Sequence, residues 1–363
     1  MIDDDYMKLA LGLARKGQGY ASPNPMVGAV LVKNNEIIGK GFHHRCGAAH
    51  AEVNAINSAR TDVVGATLYV TLEPCCHHGQ TPPCTDAIIK SKIRRVVIGS
   101  IDANPLVSCR GINQLQASGI EVKTGVLEKE CRALNEVFFH YMQTKLPFIT
   151  LKFAQTLDGR IASAVGNSKW ISCDKSLTYA HKLRAQHDAI LVGINTVITD
   201  NPELTVRHVR GRNPLRVVVD SKLKISPKAK VLQNLGKTKT LIATTKKPAD
   251  TAFKKISATG AVILPCRADK KGRVDLKDLF KKLAARNISS VLVEGGAQII
   301  TSMLRDNLAQ RIVVVIAPKI LGTGVQAVGD LNIKRIDAAK KLTIQKILKR
   351  GDDIIIDSRL QKV

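Results

Sequence analysis

Along this chain the hydrophobic positions switch repeatedly between a period of about 3.6 and a period of 2, so helices are predicted to alternate with strands. Asp5 to Lys16 places Met7, Leu9, Ala10, Leu13 and Ala14 at helical spacing. Val27 to Val32 is a short apolar run, Lys33-Asn34-Asn35-Glu36 has turn chemistry, and Ile37 to Gly41 reads as the hairpin partner. Further helices are predicted at Ala51 to Ala59, Asp86 to Lys92 and Leu106 to Ser118. Strands are predicted at Thr67 to Thr71, Arg95 to Gly99 and Ile120 to Thr124. Lys129 to Lys145 reads as one bridging helix.

The second half continues the alternation. Phe148 to Phe153, Ala189 to Gly193, Arg216 to Asp220, Thr240 to Thr244, Ala261 to Leu264 and Ser290 to Val293 are predicted strands. Arg311 to Ile316 and Asp353 to Asp357 supply late ones. Lys175 to Ala185 and Ala297 to Leu304 read as helices, and Leu276, Leu279, Phe280 and Leu283 form the stripe of another. Both halves are therefore α/β, the first with mixed strand order. The second is doubly wound in character, yet no G-x-G-x-x-G follows a strand, so the usual dinucleotide fingerprint is absent.

At 363 residues the chain exceeds the size at which one core stops growing, and two domains are expected. Charge marks where they divide. Residues 1–145 carry 16 Lys and Arg against 13 Asp and Glu, whereas residues 146–363 carry 40 against 17. The expected domains are 1–145 and 146–363. The basic half could grip nucleic acid, attract an anionic small substrate, or simply present a solvated lysine surface. Its clusters, Lys222 to Lys230 and Lys270-Lys271, lack interleaved aromatics, which favours the solvated face. Eight cysteines are too sparse for a disulfide scaffold, Asp3-Asp4-Asp5 is the reverse of a secretory leader, and no apolar run reaches a membrane span. A soluble cytoplasmic protein with reduced thiols is expected.

The densest chemistry lies between His50 and Cys84. His50, Cys75 and Cys84 are candidate ligands of one Zn²⁺, and three protein ligands leave a fourth position for water. Such water acidifies toward neutrality and becomes a nucleophile near pH 7. Glu52, two residues after His50 at a helix start, is placed to shuttle the proton. Cys84, preceding a predicted helix, is expected to titrate below a free thiol. The competing reading is a closed structural site with Cys76 or His77 as fourth ligand, which would leave Glu52 without a purpose.

The order His50-x-Glu52, then Pro74-Cys75 and a further cysteine, resembles the cytidine-deaminase-like superfamily. Nucleic-acid and nucleoside deaminases usually separate the cysteines by two residues; this chain puts eight between Cys75 and Cys84. That longer loop, with Asn24-Pro25-Met26-Val27-Gly28-Ala29-Val30, His50-Ala51-Glu52-Val53 and Asp102-Ala103-Asn104-Pro105, resembles the deaminase half of the bifunctional riboflavin-biosynthesis RibD family. The resemblance implies a cytidine-deaminase-like α/β/α sandwich whose substrate is a diaminopyrimidinone carrying a ribosylamino 5′-phosphate. It implies that Asn24, His43, His77 and Asn104 line the substrate pocket. Cys76 stands where the family usually has serine and Cys109 where it usually has glycine. His44, His78 and Cys46 read as surface or structural residues.

In the second half the strand Val291 to Val293 running into Glu294-Gly295-Gly296 lets backbone approach a phosphate, although a ligand-free tight turn would look the same. Leu151 to Arg160, Gly166-Asn167-Ser168-Lys169-Trp170-Ile171, Gly193 to Val197 with Asp200-Asn201-Pro202, and Glu294-Gly295-Gly296 resemble the reductase half of the same family. That resemblance implies a dihydrofolate-reductase-like α/β domain using NADPH, which accounts for the missing fingerprint. It implies that Lys152, Ser168, Trp170, Arg184, Asp200, Leu204, Arg207 and Glu294 bind substrate. Ala154, Thr156, Gly193, Thr196, Thr244, Glu294, Gly295 and Gly296 would flank the cofactor. For Trp170 a buried core role is the alternative. No general acid for hydride transfer is identifiable.

Three functions remain open on these grounds. The first is a zinc deaminase coupled to an NADPH reductase acting on small phosphorylated pyrimidines, assembled as a homodimer or larger by resemblance. The second is a zinc nucleic-acid deaminase with a basic RNA-binding module. The third makes the second half a mere binding or oligomerisation domain.

Overall fold

Alternate residues of the first long strand serve opposite layers: Val30 and Val32 pack in one apolar cluster, Ala29 and Leu31 in another. A strand buried on both faces belongs at the middle of a helix–sheet–helix sandwich. A computed structural model, describing residues 1–104 and 107–361, shows that arrangement. The chain divides into two compact units, Met1–Lys145 and a second starting at Leu146.

The first unit runs α1 (Asp3–Ala14), β1 (Gly28–Lys33), β2 (Glu36–Phe42), α2 (Ala51–Asn57), β3 (Thr67–Leu72) and α3 (Cys84–Lys90). It continues with β4 (Arg95–Ser100), α4 (Arg110–Ala117), β5 (Glu121–Thr124), α5 (Glu128–Leu134) and α6 (Glu136–Thr144). The five strands are ordered β2-β1-β3-β4-β5, with β1 antiparallel to β2 and β3 and the rest parallel. Tyr6, Met7 and Leu11 of α1 join Val30, Tyr69, Val97 and Cys131 on one face. Ala51, Ile88, Leu115 and Phe138 of α2, α3, α4 and α6 cover the other. Leu106, the start of one predicted helix, and Pro105 of the motif at Asn104 lie outside the described residues.

The expected bridging helix is two helices. Asn135 interrupts it because its side chain is committed elsewhere: the carboxamide oxygen accepts Met26 N–H at 2.8 Å and the amide donates to Met26 O at 2.9 Å. Gly41 fits tightly against α2, since a Cβ there would come within 2.3 Å of Ala51 O. β2 therefore lies directly against the helix that carries Glu52.

The second unit contains β6 (Phe148–Thr156), β7 (Arg160–Ser163), α7 (Asp174–Gln186), β8 (Ala189–Gly193), α8 (Ile194–Asp200), β9 (Leu215–Val219), β10 (Thr240–Thr244) and α9 (Thr251–Ser257). After these come β11 (Val262–Pro265), α10 (Leu276–Ala284), β12 (Ser290–Val293), α11 (Ala297–Arg305), β13 (Arg311–Ala317), β14 (Gly324–Gln326), β15 (Leu342–Arg350) and β16 (Asp353–Leu360). A nine-stranded sheet has the order β11-β10-β9-β8-β12-β6-β13-β16-β15, parallel up to β13 and antiparallel beyond it. The predicted stripe of α10 seats Leu279, Phe280 and Leu283 on Leu191, Val217 and Leu241. Parallel strands all present their C-terminal ends on one side, where ligands of open α/β sheets bind.

His187 sits inside this sheet layer. Its Nδ1–H donates to Leu183 O at 2.7 Å and its Nε2 accepts from the Thr150 hydroxyl at 2.9 Å, which fixes the neutral tautomer. Burial pushes its pKa down to about 4. The folded value lies below the unfolded one, so the stabilisation is present above about pH 6.5 and is lost as pH falls toward 4. This residue should cost the second unit about 2 kcal/mol of stability between pH 7 and pH 5. Denaturant melts of wild type and His187→Gln at both pH values check it: the variant should lose that much less on acidification.

Candidate metal centre and strand-end pocket

The ends of β3 and α2 bring the sequence-distant ligands together. His50 caps α2, Cys75 lies in the loop after β3, and Cys84 is the first residue of α3. His50 Nδ1 is 3.2 Å from Cys84 Sγ and 3.5 Å from Cys75 Sγ, and all three donor atoms lie within 4.8 Å of one another. Tetrahedral zinc with ordinary Zn–N and Zn–S lengths spaces neighbouring N and S ligands by about 3.6 Å, so the donor set fits that ion. Among the described residues the cluster has no fourth His, Cys, Asp or Glu, so Cys76 and His77 do not close it.

The two thiols are in hydrogen-bond contact. Cys84 faces Cys75 as its donor, and this with His50 pushes the Cys75 pKa down to about 4. The same contact, with burial and Glu52 beside it, pushes Cys84 far up. The opposite directions belong to the pair: one thiol ionises readily because the other donates to it. A cation is what would stabilise both thiolates, a second mark of fit.

Glu52 is 3% exposed and points at this cluster. Burial, then the neighbouring Cys75 thiolate, raises its pKa to about 7. A cavity of about 260 Å³ opens over it, lined by Asn24, His43, His77 and Asn104 as well as by His50 and Cys75. Asn24 Nδ2 donates to His43 Nε2 at 3.2 Å, and His43 Nδ1 faces Ala49 O at 3.3 Å, so the neutral ring is held edge-on to His50. His77 Nδ1 is buried without a partner, a donor or acceptor left for a ligand.

Glu73 escaped the sequence reading. Buried at 3% exposure, its carboxylate accepts the N–H groups of Asp102 and Cys109 on one oxygen and Gly111 and Ile112 on the other, at 3.1–3.4 Å. It ties the end of the ligand-bearing strand to the segment that supplies Asn104. Cys109 adopts φ 61° there, a left-handed backbone that favours glycine, and its thiol is exposed. His44 and His78 are not buried.

In the second unit, Arg184 of α7 and Glu294 after β12 form a buried two-pronged pair: Nε to Oε1 at 2.9 Å and Nη2 to Oε2 at 2.6 Å. Arg184 Nη1 also donates to Thr205 O at 3.1 Å. Lys152 lies in the same field, its pKa lowered by burial and partly restored by Glu294. Ser168 is 3.5 Å from Asp200 Oδ1. Arg207 donates to Glu203 and Thr205 through its guanidinium, while its backbone N–H donates to His181 Nδ1 at 3.0 Å. His181 is fully buried, and burial and then Arg184 depress its pKa to about 4, so it stays neutral; no motif signalled it. Leu204 is buried with φ 55°. Trp170 is 70% exposed, which removes the core alternative.

A second cavity, of about 950 Å³, lies at the C-terminal ends of the parallel strands and is lined by Gly193, Thr196 and Gly296 among others. Gly296 has φ 61° as it enters α11, and a Cβ on Gly295 would come within 3.0 Å of Thr196 Oγ1. Thr244 is not part of this lining; its hydroxyl donates to Ser221 O at 3.2 Å. Ala154, Thr156 and Glu294 also lie outside the cavity wall.

Comparison with known proteins agrees on both units. The model of the RibD C-terminal domain matches residues 147–356, and that of the cytidine and deoxycytidylate deaminase zinc-binding region matches residues 1–100. The riboflavin biosynthesis protein RibD of Aquifex aeolicus is 47% identical over 356 residues, covering 98% of each chain. A diaminohydroxyphosphoribosylaminopyrimidine deaminase/5-amino-6-(5-phosphoribosylamino)uracil reductase from Thermotoga maritima superposes with a TM-score of 0.89 at 39% identity, over 99% of each chain. Acinetobacter baumannii RibD does so with a TM-score of 0.90 at 32% identity, again over 99% of each.

Proposed function

The chain belongs to the RibD family of bifunctional riboflavin-biosynthesis proteins, and from that premise we infer that each of its two units performs one half of a deaminase–reductase sequence. It is a deaminase and reductase of riboflavin-pathway pyrimidine intermediates. Residues 1–145 deaminate 2,5-diamino-6-ribosylamino-4(3H)-pyrimidinone 5′-phosphate. Residues 146–363 reduce the ribosyl group of 5-amino-6-(5-phosphoribosylamino)uracil to ribityl. The single observation that carries the first assignment is the His50–Cys75–Cys84 cluster with a buried carboxylate beside it.

His50, Cys75 and Cys84 would hold zinc, which when bound supplies the Lewis acidity that draws water toward ionisation at neutral pH. Glu52 takes the proton of the attacking water and returns it to the ring and then to the departing amine. Asn24, His43, His77 and Asn104 hold the pyrimidine in the cavity. In the second unit Gly193, Thr196 and Gly296 would hold NADPH, which when bound would supply the hydride for C1′. Lys152, Arg184, Asp200 and Arg207 hold and orient the sugar phosphate, with Ser168, Trp170, Leu204 and Glu294 completing that wall. Gly193, Thr196 and Gly296 would shape the cofactor side, with Gly295 packed behind them on Thr196.

Among the described residues no helix is long and apolar enough to cross a membrane, in keeping with small dissolved substrates. The basic second half lies in the reductase family model, which leaves an RNA-gripping module no segment of its own. The edge strand β15 exposes Leu342, Ile344 and Ile347, an apolar edge that supports a homo-oligomer.

A coupled assay tests the reading. With the diaminopyrimidinone phosphate, ammonia release should precede loss of NADPH absorbance. A zinc chelator should stop ammonia release yet leave NADPH oxidation intact when the deaminated substrate is supplied. Loss of both activities, or of neither, would overturn the division between the units.

A further inference from the structure

His181 and Arg184 stand one turn apart on α7, so their side chains share a face of the helix. The loop after α8 packs against them. Arg207 of that loop donates its backbone N–H to His181 Nδ1 at 3.0 Å, and the His208 ring meets the His181 ring edge-on with centroids 4.5 Å apart. The hydrogen bond from Arg207 settles the state of the imidazole. A ring nitrogen that accepts an N–H carries no proton, so the ring is neutral and its one proton sits on Nε2. His181 is 0% exposed, and among the described residues Nε2 has no hydrogen-bond partner. A buried donor left unmet costs free energy, and native structures rarely keep one without a use.

The groups around His181 indicate what kind of acceptor suits it. Arg184, His208 and Arg207 bear on the ring from the positive side, and Glu294 from the negative side. Both oxygens of Glu294 are taken by Arg184, at 2.9 and 2.6 Å. The Arg207 guanidinium is likewise engaged, by Glu203 at 3.1 Å and by the Thr205 hydroxyl at 2.8 Å. Both arginines expected at the sugar phosphate are therefore paired with carboxylates, and the His181 Nε2–H is the uncommitted donor beside them. The ring packed on it belongs to His208, which is exposed and can turn aside without disturbing the core.

We propose that His181 is a substrate-binding residue of the second unit, its Nε2–H donating to a phosphate oxygen of the sugar phosphate once His208 turns aside. The inference rests on the reductase reading and deepens it, by giving the anionic end of the substrate a neutral, directed donor. A hydrogen bond to a charged oxygen is stronger than one between neutral groups, and a neutral imidazole adds no repulsion to the neighbouring arginines.

The test is NADPH-oxidation kinetics of the full-length protein with 5-amino-6-(5-phosphoribosylamino)uracil and with its dephosphorylated counterpart. His181→Asn keeps an acceptor near the Nδ1 position for Arg207 but has no donor near Nε2, whereas His181→Gln places an amide N–H near Nε2. His181→Asn should raise KM for the phosphorylated substrate about 10-fold or more and leave kcat within about 2-fold. His181→Gln should recover most of that loss. With the dephosphorylated substrate neither variant should move KM by more than about 2-fold. His208→Ala, a surface change, should not raise KM for the phosphorylated substrate. Equal KM increases with both substrates, a wild-type KM in His181→Asn, or a His181→Gln no better than His181→Asn overturns the assignment and leaves the reductase reading intact. A raised KM in His208→Ala gives the phosphate contact to His208 instead. Failure of the wild-type protein to oxidise NADPH with either substrate overturns the reductase reading and this inference with it.

Discussion

Replacing Glu52 by glutamine should lower deamination about 10²–10⁴-fold while zinc content and NADPH oxidation stay at wild-type levels. The substitution keeps the volume of a side chain that is 3% exposed, so packing against α2 and the cavity is preserved. What disappears is a carboxyl group that can both take and return a proton. Burial and the Cys75 thiolate raise its pKa to about 7, the range in which both directions of transfer are accessible at neutral pH. His50, Cys75 and Cys84 are untouched, so metal should remain stoichiometric by atomic absorption. Ammonia release above a tenth of the wild-type rate would take Glu52 out of the proton path.

The Arg184–Glu294 pair carries the second large effect. Truncating one partner of a buried, doubly hydrogen-bonded ion pair strands the other charge and costs about 3–5 kcal/mol. Arg184→Ala should therefore lower the melting temperature and reduce reductase kcat/KM more than about 100-fold. Removing both charges together separates the fold from the chemistry. The double variant Arg184→Met/Glu294→Leu should regain part of the stability, because neither member of the pair is left stranded, while Lys152 loses the Glu294 charge beside it. Its reductase activity should stay low, since the groups proposed to hold the sugar phosphate are gone. Recovery of activity with stability would show that the pair serves the fold only.

Much of this molecule is legible locally. Strands such as Thr67–Leu72 and Ser290–Val293 are bounded by turn residues and buried on both faces, so their composition announces them. The α10 stripe is equally plain. The metal cluster was readable because ligand chemistry demands particular residue types, and the spacing between Cys75 and Cys84 pointed to the family. What escaped depends on distant partners. The helix break at Asn135 is set by Met26, more than a hundred residues earlier. The pairing of Arg184 with Glu294 and the support of Arg207 by His181 span turns that no periodicity encodes. β15 hid because it is an edge strand whose Lys346, Lys349 and Arg350 break the apolar pattern. The contact between the Cys75 and Cys84 thiols exists only in the folded loop.

The clasp between Asn135 and Met26 sets the smallest piece of this chain that could deaminate on its own. The zinc-binding match ends at residue 100, yet Phe138 and Met142 of α6 form part of the cavity wall. Asn135 holds the backbone two residues beyond Asn24. A fragment cut at residue 100 would keep His50, Cys75 and Cys84 and still lose one side of the cavity beside them. An autonomous deaminase half must extend through the last turn of α6, which leaves almost no spare residues in the sequence before β6 begins the reductase half.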